Sequence, residues 1–231
     1  MIKTSQSRFL HEARTFIENA AGLSEISSVL SAYGYSEARF KKGKELLRAA
    51  DESTKRKAVE YGERSEAASD FASAWAAANV VYAKTLKLAR IALGDDAKSF
   101  KALKLVGPRK QSFSGWYDQA GTFYRNLTRD PEFVAKMGAF GYDREKLDRE
   151  GRCIEEANDK CKAHASESGS AHASTAEYDR KLRELDSWVS DLRAVCEVAF
   201  YGAKEELEKL GPLAPIRRRR AGARKKSIAT V

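Results

Sequence analysis

The chain has 231 residues, with 42 Lys or Arg against 33 Asp or Glu and a net charge of +9. Apolar residues make up 42% and only 15 Gly and 4 Pro occur, which excludes a chain disordered throughout and points to helix. No apolar run reaches the roughly 18 residues of a membrane span, MIKTSQSRFLHEARTF lacks a signal-peptide core, and the cysteines (Cys153, Cys161, Cys196) are odd in number, so a cytoplasmic, reducing setting is expected.

In chain order, RFLHEARTFIENA places Phe9, Ala13, Phe16 and Ile17 on one helical face. A short second helix follows, with Glu25 in its first turn, where the helix dipole favours an acid. It stops at Gly34 in SAYGYSEARF, the position where a helix C-terminus favours glycine. Ser36 caps the next helix, and Tyr35 packs across the corner. From 36 to 93 apolar residues recur every seven: Phe40, Leu47, Tyr61, Ala68, Trp75, Tyr82, Ala89. That is coiled-coil-like spacing. The middle, 51–66, is polar and contains Gly62. It admits a hairpin turning near Gly62 or one continuous helix of about 58 residues, roughly 87 Å long. The unbroken heptad phase and the lack of proline favour continuity. In AKSFKALKL, Lys98 and Lys101 then sit one turn apart, opposite Phe100 and Leu103.

The same elements recur 107 residues later. GWYDQAGTFYRNL aligns Trp116, Ala120, Phe123, Tyr124 and Leu127. Trp116 and Phe123 match Phe9 and Phe16 and belong in a core; Tyr117 and Tyr124 are the better candidates for exposure. Asp130 and Pro131 form an N-cap and first-turn pair. GAFGYDREKL repeats the corner, with Gly141, Tyr142 and Asp143 for Gly34, Tyr35 and Ser36. From 143 to 200 the heptad positions are Leu147, Ile154, Cys161, Thr175, Leu182, Val189 and Cys196, with Gly169 matching Gly62. KEELEKL then replaces the lysine-rich segment with an acidic one. Such self-similarity marks two copies of one helical unit, roughly 8–106 and 115–212. The fold expected is all-α: an elongated helical bundle with long coiled-coil-like helices, built from an internal duplication.

Charge separates the copies. Residues 1–112 carry 20 basic and 13 acidic side chains, net +7; residues 113–212 carry 15 and 20, net −5. These are read as a basic first and an acidic second repeat. Residues 213–231 are a disordered basic tail of net +7: Arg217, Arg218, Arg219, Arg220, Arg224, Lys225 and Lys226, with no acid. Such a run self-repels until it meets negative charge. Seven phosphate contacts on duplex DNA would give a log–log salt slope of roughly −6, without sequence preference.

Little enzymatic chemistry is legible. Cys161, His164 and His172 share a helical face, but the two histidines are about 12 Å apart along it, and no H-E-x-x-H or Glu-x-x-His pair occurs. Phosphate-binding loops and nucleophile elbows are absent too. No catalytic residue, cofactor or metal is expected. The favoured reading is a non-enzymatic scaffold or adaptor that docks on a polyanion, nucleic acid or a nucleoprotein. The tail residues above and Lys98, Lys101, Lys104, Arg109 and Lys110 are its contacts. An anionic membrane surface is a less favoured partner. The alternatives are a self-assembling structural protein pairing opposite-charged ends and a helical bundle carrying a ligand or metal.

Overall fold

The computed structural model describes residues 6–94 and 97–215, without the side chains of Ala97 and Lys98. Eight helices follow one another among these residues, with no strand: α1 (Gln6–Gly22), α2 (Ser24–Ala32), α3 (Glu37–Ala92), α4 (Ala97–Ala102), α5 (Phe113–Arg129), α6 (Pro131–Gly138), α7 (Arg144–Ala199) and α8 (Lys204–Lys209). The duplication is visible in the elements themselves. α5, α7 and α8 start 107 residues after α1, α3 and α4 and have the same lengths of 17, 56 and 6 residues. α3 and α7 run unbroken through Gly62 and Gly169, which settles the choice between hairpin and continuous helix.

Both glycine corners take one form. Gly34 has φ 82° and Gly141 φ 77°. The Tyr35 N–H donates to Leu30 O and the Gly34 N–H to Ser31 O; Tyr142 and Gly141 do the same to Met137 and Gly138. These paired bonds satisfy the orphan carbonyls at the ends of α2 and α6, and the left-handed residue they need carries no Cβ penalty. The Asp143 carboxylate accepts from the Lys146 N–H at 2.8 Å and caps α7. Asp130 caps α6 in the same way, accepting from the Glu132 N–H, with Pro131 in the first turn.

The compact units of the fold cut across the repeats. Unit 1 is residues 1–57 with 174–231; unit 2 is residues 58–173. In unit 1, α1 and α2 close over the first part of α3 and the last part of α7. Phe16, Ile17, Ile26, Leu30, Leu47 and Leu192 are buried together there. In unit 2, α5 and α6 close over the last part of α3 and the first part of α7, burying Tyr82, Leu86, Trp116, Phe123, Met137 and Ile154. Each such aliphatic or aromatic side chain contributes about 1.5–3 kcal/mol on leaving water.

A matched asparagine ties the halves of each unit. Asn19 of α1 donates to Lys209 O at 2.8 Å, and Asn126 of α5 donates to Ala102 O at 2.6 Å. Asn19 and Asn126 are repeat equivalents, as are Ala102 and Lys209. The last carbonyls of α4 and α8 are therefore satisfied by the other repeat.

This exchange has a consequence for charge. Residues 1–57 and 174–212 hold 17 basic and 16 acidic side chains, and residues 58–173 hold 18 and 17. Apart from residues 213–231, unit 1 is thus close to neutral, and so is unit 2, although the repeats are not. Seven of the nine excess charges lie after residue 212. The fold also extends past Gly211-Pro212, because Leu213 packs on the unit 1 core and Ala214 is buried.

The heptad positions are buried where the short helices add a layer: Phe40, Leu47, Tyr82, Ala89, Leu147, Ile154, Val189 and Cys196. Elsewhere burial falls away. Tyr61 is 46% exposed, and Trp75, Cys161, Thr175 and Leu182 are half-buried. The long helices are held there by polar contacts. Arg56 pairs with Glu177 at 3.0 Å and the Lys57 ammonium lies over Tyr178 in unit 1; Lys160 pairs with Asp70 at 2.7 Å in unit 2. Exposed pairs of this kind contribute about 0–1 kcal/mol each.

Candidate polyanion interface

The segment after α3 carries five of the twelve basic residues expected to bind a polyanion. Arg90, in the last turn of α3, anchors it. Its Nε donates to Leu105 O at 3.0 Å and its Nη2 to Gly107 O at 3.2 Å. Arg109 donates to Asn79 Oδ1 at 2.9 Å, and the Lys110 N–H donates to the buried Gln119 side chain at 3.1 Å. Ser112 then caps α5, accepting from the Gly115 N–H. Leu105, Gly107, Arg109 and Lys110 are thus tied to α3 or α5.

The loop leaves a cleft of about 570 Å³ whose rim includes Lys101, Lys104, Lys110, Asp118 and Gln119. All three lysines are exposed. Lys104 has φ 50°, the one non-glycine among the described residues in the left-handed region. Its repeat equivalent is Gly211, at φ 92°. The Lys104 ammonium pairs with Asp118 at 2.7 Å, and this hydrogen bond and charge hold the Asp118 carboxyl below its usual range.

Three of the five body residues predicted as contacts thus share one cleft. Arg109 is turned to Asn79 instead, and the Lys98 side chain lies outside the described residues. So do all seven tail residues, Arg217 to Arg220, Arg224, Lys225 and Lys226. Sequence reasoning missed Asp118, Gln119 and the anchoring role of Arg90. Asp118 is a lone acid beside two aromatics, and only the folded loop brings it to Lys104.

The corresponding place in unit 1 differs in sign. α8 carries Glu205, Glu206 and Glu208, with Lys204 paired to Glu208 and Lys209 to Glu206 and Glu25. The chain also has a conspicuous aromatic cluster in unit 2. Tyr82 is buried against Trp116 and Phe123, and burial pushes its hydroxyl up to about 12 against the opposing charges of Arg90 and Arg109. Tyr124, expected to be exposed, is buried. Its hydroxyl donates to Glu150 at 3.0 Å, as does Thr85 at 2.6 Å, so the buried ring keeps a polar partner 26 residues on, while its equivalent Ile17 is buried as well. Tyr117 is half-buried and donates to Glu155.

For metals, the His164 ring stacks on Phe71 at 6.0 Å and its Nε2 lies 3.4 Å from Ser168 Oγ. Among the described residues, Glu60, Glu63 and Glu167 bring carboxylate oxygens within 4.8 Å of one another, with no histidine or cysteine among them. The three cysteines are free, and burial pushes the Cys196 thiol up to about 12.

No helix among the described residues is long and apolar enough to cross a membrane. Comparison with protein-family models, curated proteins and solved structures finds no match.

Proposed function

We propose that the protein is a non-enzymatic helical scaffold or adaptor that docks on a polyanion, nucleic acid or a nucleoprotein particle. The observation that carries the reading is where the excess charge lies. The body is close to neutral in both units, and the last 19 residues hold seven basic side chains without an acid. Phosphate contacts by such a segment supply affinity and position without reading bases. The cleft of Lys101, Lys104 and Lys110 is a second contact point, whose backbone is already held by Arg90, Arg109 and Gln119. A backbone already held in place lowers the entropy lost when these lysines bind.

Fluorescence anisotropy with a labelled duplex tests this. At about 50 mM salt the full chain should bind at least ~100-fold more tightly than a chain ending at Pro215, which keeps Ala214 in the core. Lys101→Gln/Lys104→Gln/Lys110→Gln in the full chain should weaken binding by about tenfold. Equal and negligible binding by the full and shortened chains would refute the proposal.

A further inference from the structure

Two exposed apolar positions recur in both repeats. Ile91 and Val198 are equivalents near the ends of α3 and α7, and they are 65% and 64% exposed. Tyr33 and Phe140 are equivalents at the ends of α2 and α6, and they are 47% and 48% exposed. Scattered surface apolar residues need no explanation. Recurrence at the same place in both copies, after the charges around them have changed, does.

Those charges have changed in one direction. From residue 84 onward every matched charge reversal replaces a base by an acid: Lys84 by Asp191, Arg90 by Glu197, Lys98 by Glu205, Lys101 by Glu208. Earlier reversals run both ways, as Glu18 with Arg125 and Lys41 with Asp148 show. Lys84, Arg90 and Lys101 are exposed, and so are Asp191, Glu197 and Glu208. Two corners of one backbone design therefore carry an exposed β-branched aliphatic side chain beside these reversed charges, with Asp95 and Asp96 in the α3–α4 connection lying outside the described residues. One is the α3–α4 corner of unit 2, the other the α7–α8 corner of unit 1.

We infer that these corners bind each other between two copies of the chain. Ile91 and Val198 form the apolar centre of the contact, with the lysine and arginine rim of one copy against the carboxylate rim of the other. Like corners repel, so the pairing is heterologous, unit 2 of one copy with unit 1 of the next. Each copy keeps one corner of each kind open to a further copy. The inference uses neither the tail nor a nucleic acid, although Lys101 and Lys110 also belong to the cleft of the polyanion proposal.

Sedimentation velocity on the full-length chain, with no nucleic acid present, tests it. At about 20 mM salt the protein should form species above the monomer that grow with concentration, and at about 500 mM salt these should dissociate. Ile91→Glu alone and Val198→Lys alone should each weaken association at least ~10-fold. An equimolar mixture of the two should form dimers and stop there, because only one good corner of each kind remains per pair. Both positions are largely solvent-exposed, and a thermal melt by circular dichroism checks that each variant folds. As a second pair, Lys101→Glu/Lys110→Glu and Glu205→Lys/Glu208→Lys should each be monomeric alone and associate when mixed. A wild type that stays monomeric up to about 0.1 mM, single variants that assemble like wild type, or mixtures that stay monomeric would overturn the inference.

Discussion

The two units solve one packing problem with opposite chemistry. In unit 1, α3 presents Gly43 to α7, and the Trp188 ring fills the space; a Cβ at Gly43 would sit 2.5 Å from the ring. Tyr35 and Phe40 pack edge-on against the same indole, at 5.7 and 6.4 Å. In unit 2 the equivalent of Gly43 is Glu150 on α7. Its carboxylate takes hydrogen bonds from Thr85 and Tyr124, whose equivalents in unit 1 are Leu192 and Ile17. An aromatic wedge on a glycine and a half-buried carboxylate with two hydroxyl donors hold the same layer of the same fold. A duplicated backbone therefore constrains spacing more tightly than it constrains polarity.

Substitutions at this layer separate the two solutions, and the largest effect is expected in unit 1. Trp188→Ala removes a wedge that no neighbour can replace, at about 3–5 kcal/mol of stability. Gly43→Leu overfills the same space and costs about 3 kcal/mol. The double variant should lose clearly less than the sum, because the leucine enters the vacated volume; additive losses in urea melts would show that the two do not share a site. In unit 2, Glu150→Leu strands the Tyr124 hydroxyl in the core and should cost about 2 kcal/mol, while Glu150→Gln keeps an acceptor and costs under ~1 kcal/mol. Equal losses for Leu and Gln would contradict the hydrogen-bonded description.

A smaller contrast lies at Lys104 and Gly211. Lys104→Gly should stabilise by roughly 0.5–1 kcal/mol, because glycine takes a positive φ freely, while weakening duplex binding. Gly211→Lys should destabilise by at least ~1 kcal/mol, since a Cβ there also meets Thr15 at 3.2 Å. The smallest effect belongs to Asp118. Asp118→Asn removes the one acid on the lysine cleft and should tighten duplex binding by about two- to threefold at low salt. The sign follows from its low-lying carboxyl: the ion pair is present at neutral pH and is lost only as pH falls through that lowered value. Wild type and variant should accordingly converge in affinity in acid.

Much of this architecture is legible in the residues. The helix stops at Gly34 and Gly141, the Asp130 and Asp143 caps and the long continuous helices follow from local rules and from the comparison of two copies. The exceptions were tertiary. Tyr61 keeps the heptad phase, but it lies beyond the layers added by α1–α2 and α5–α6, so periodicity predicted burial where no cover exists. Tyr124 lies on the apolar face of α5 and is buried like its equivalent Ile17; its hydroxyl finds Glu150, which no local pattern relates to it. The charge difference between repeats is real in the chain yet cancels within the units, because each unit takes half of each repeat. The lysines of the cleft were visible as a cluster, whereas the anchors that set them come from two helices, Asn79 and Arg90 from α3 and Gln119 from α5.

The claim that the tail carries the protein to a polyanion is tested most directly by the salt dependence of duplex binding. Wild type should be compared with a full-length chain in which Arg217, Arg218, Arg219, Arg220, Arg224, Lys225 and Lys226 are all replaced by glutamine. The log–log slope should be roughly six units steeper for wild type than for the glutamine variant. Identical slopes would show that the tail does not meet phosphate and would contradict the account.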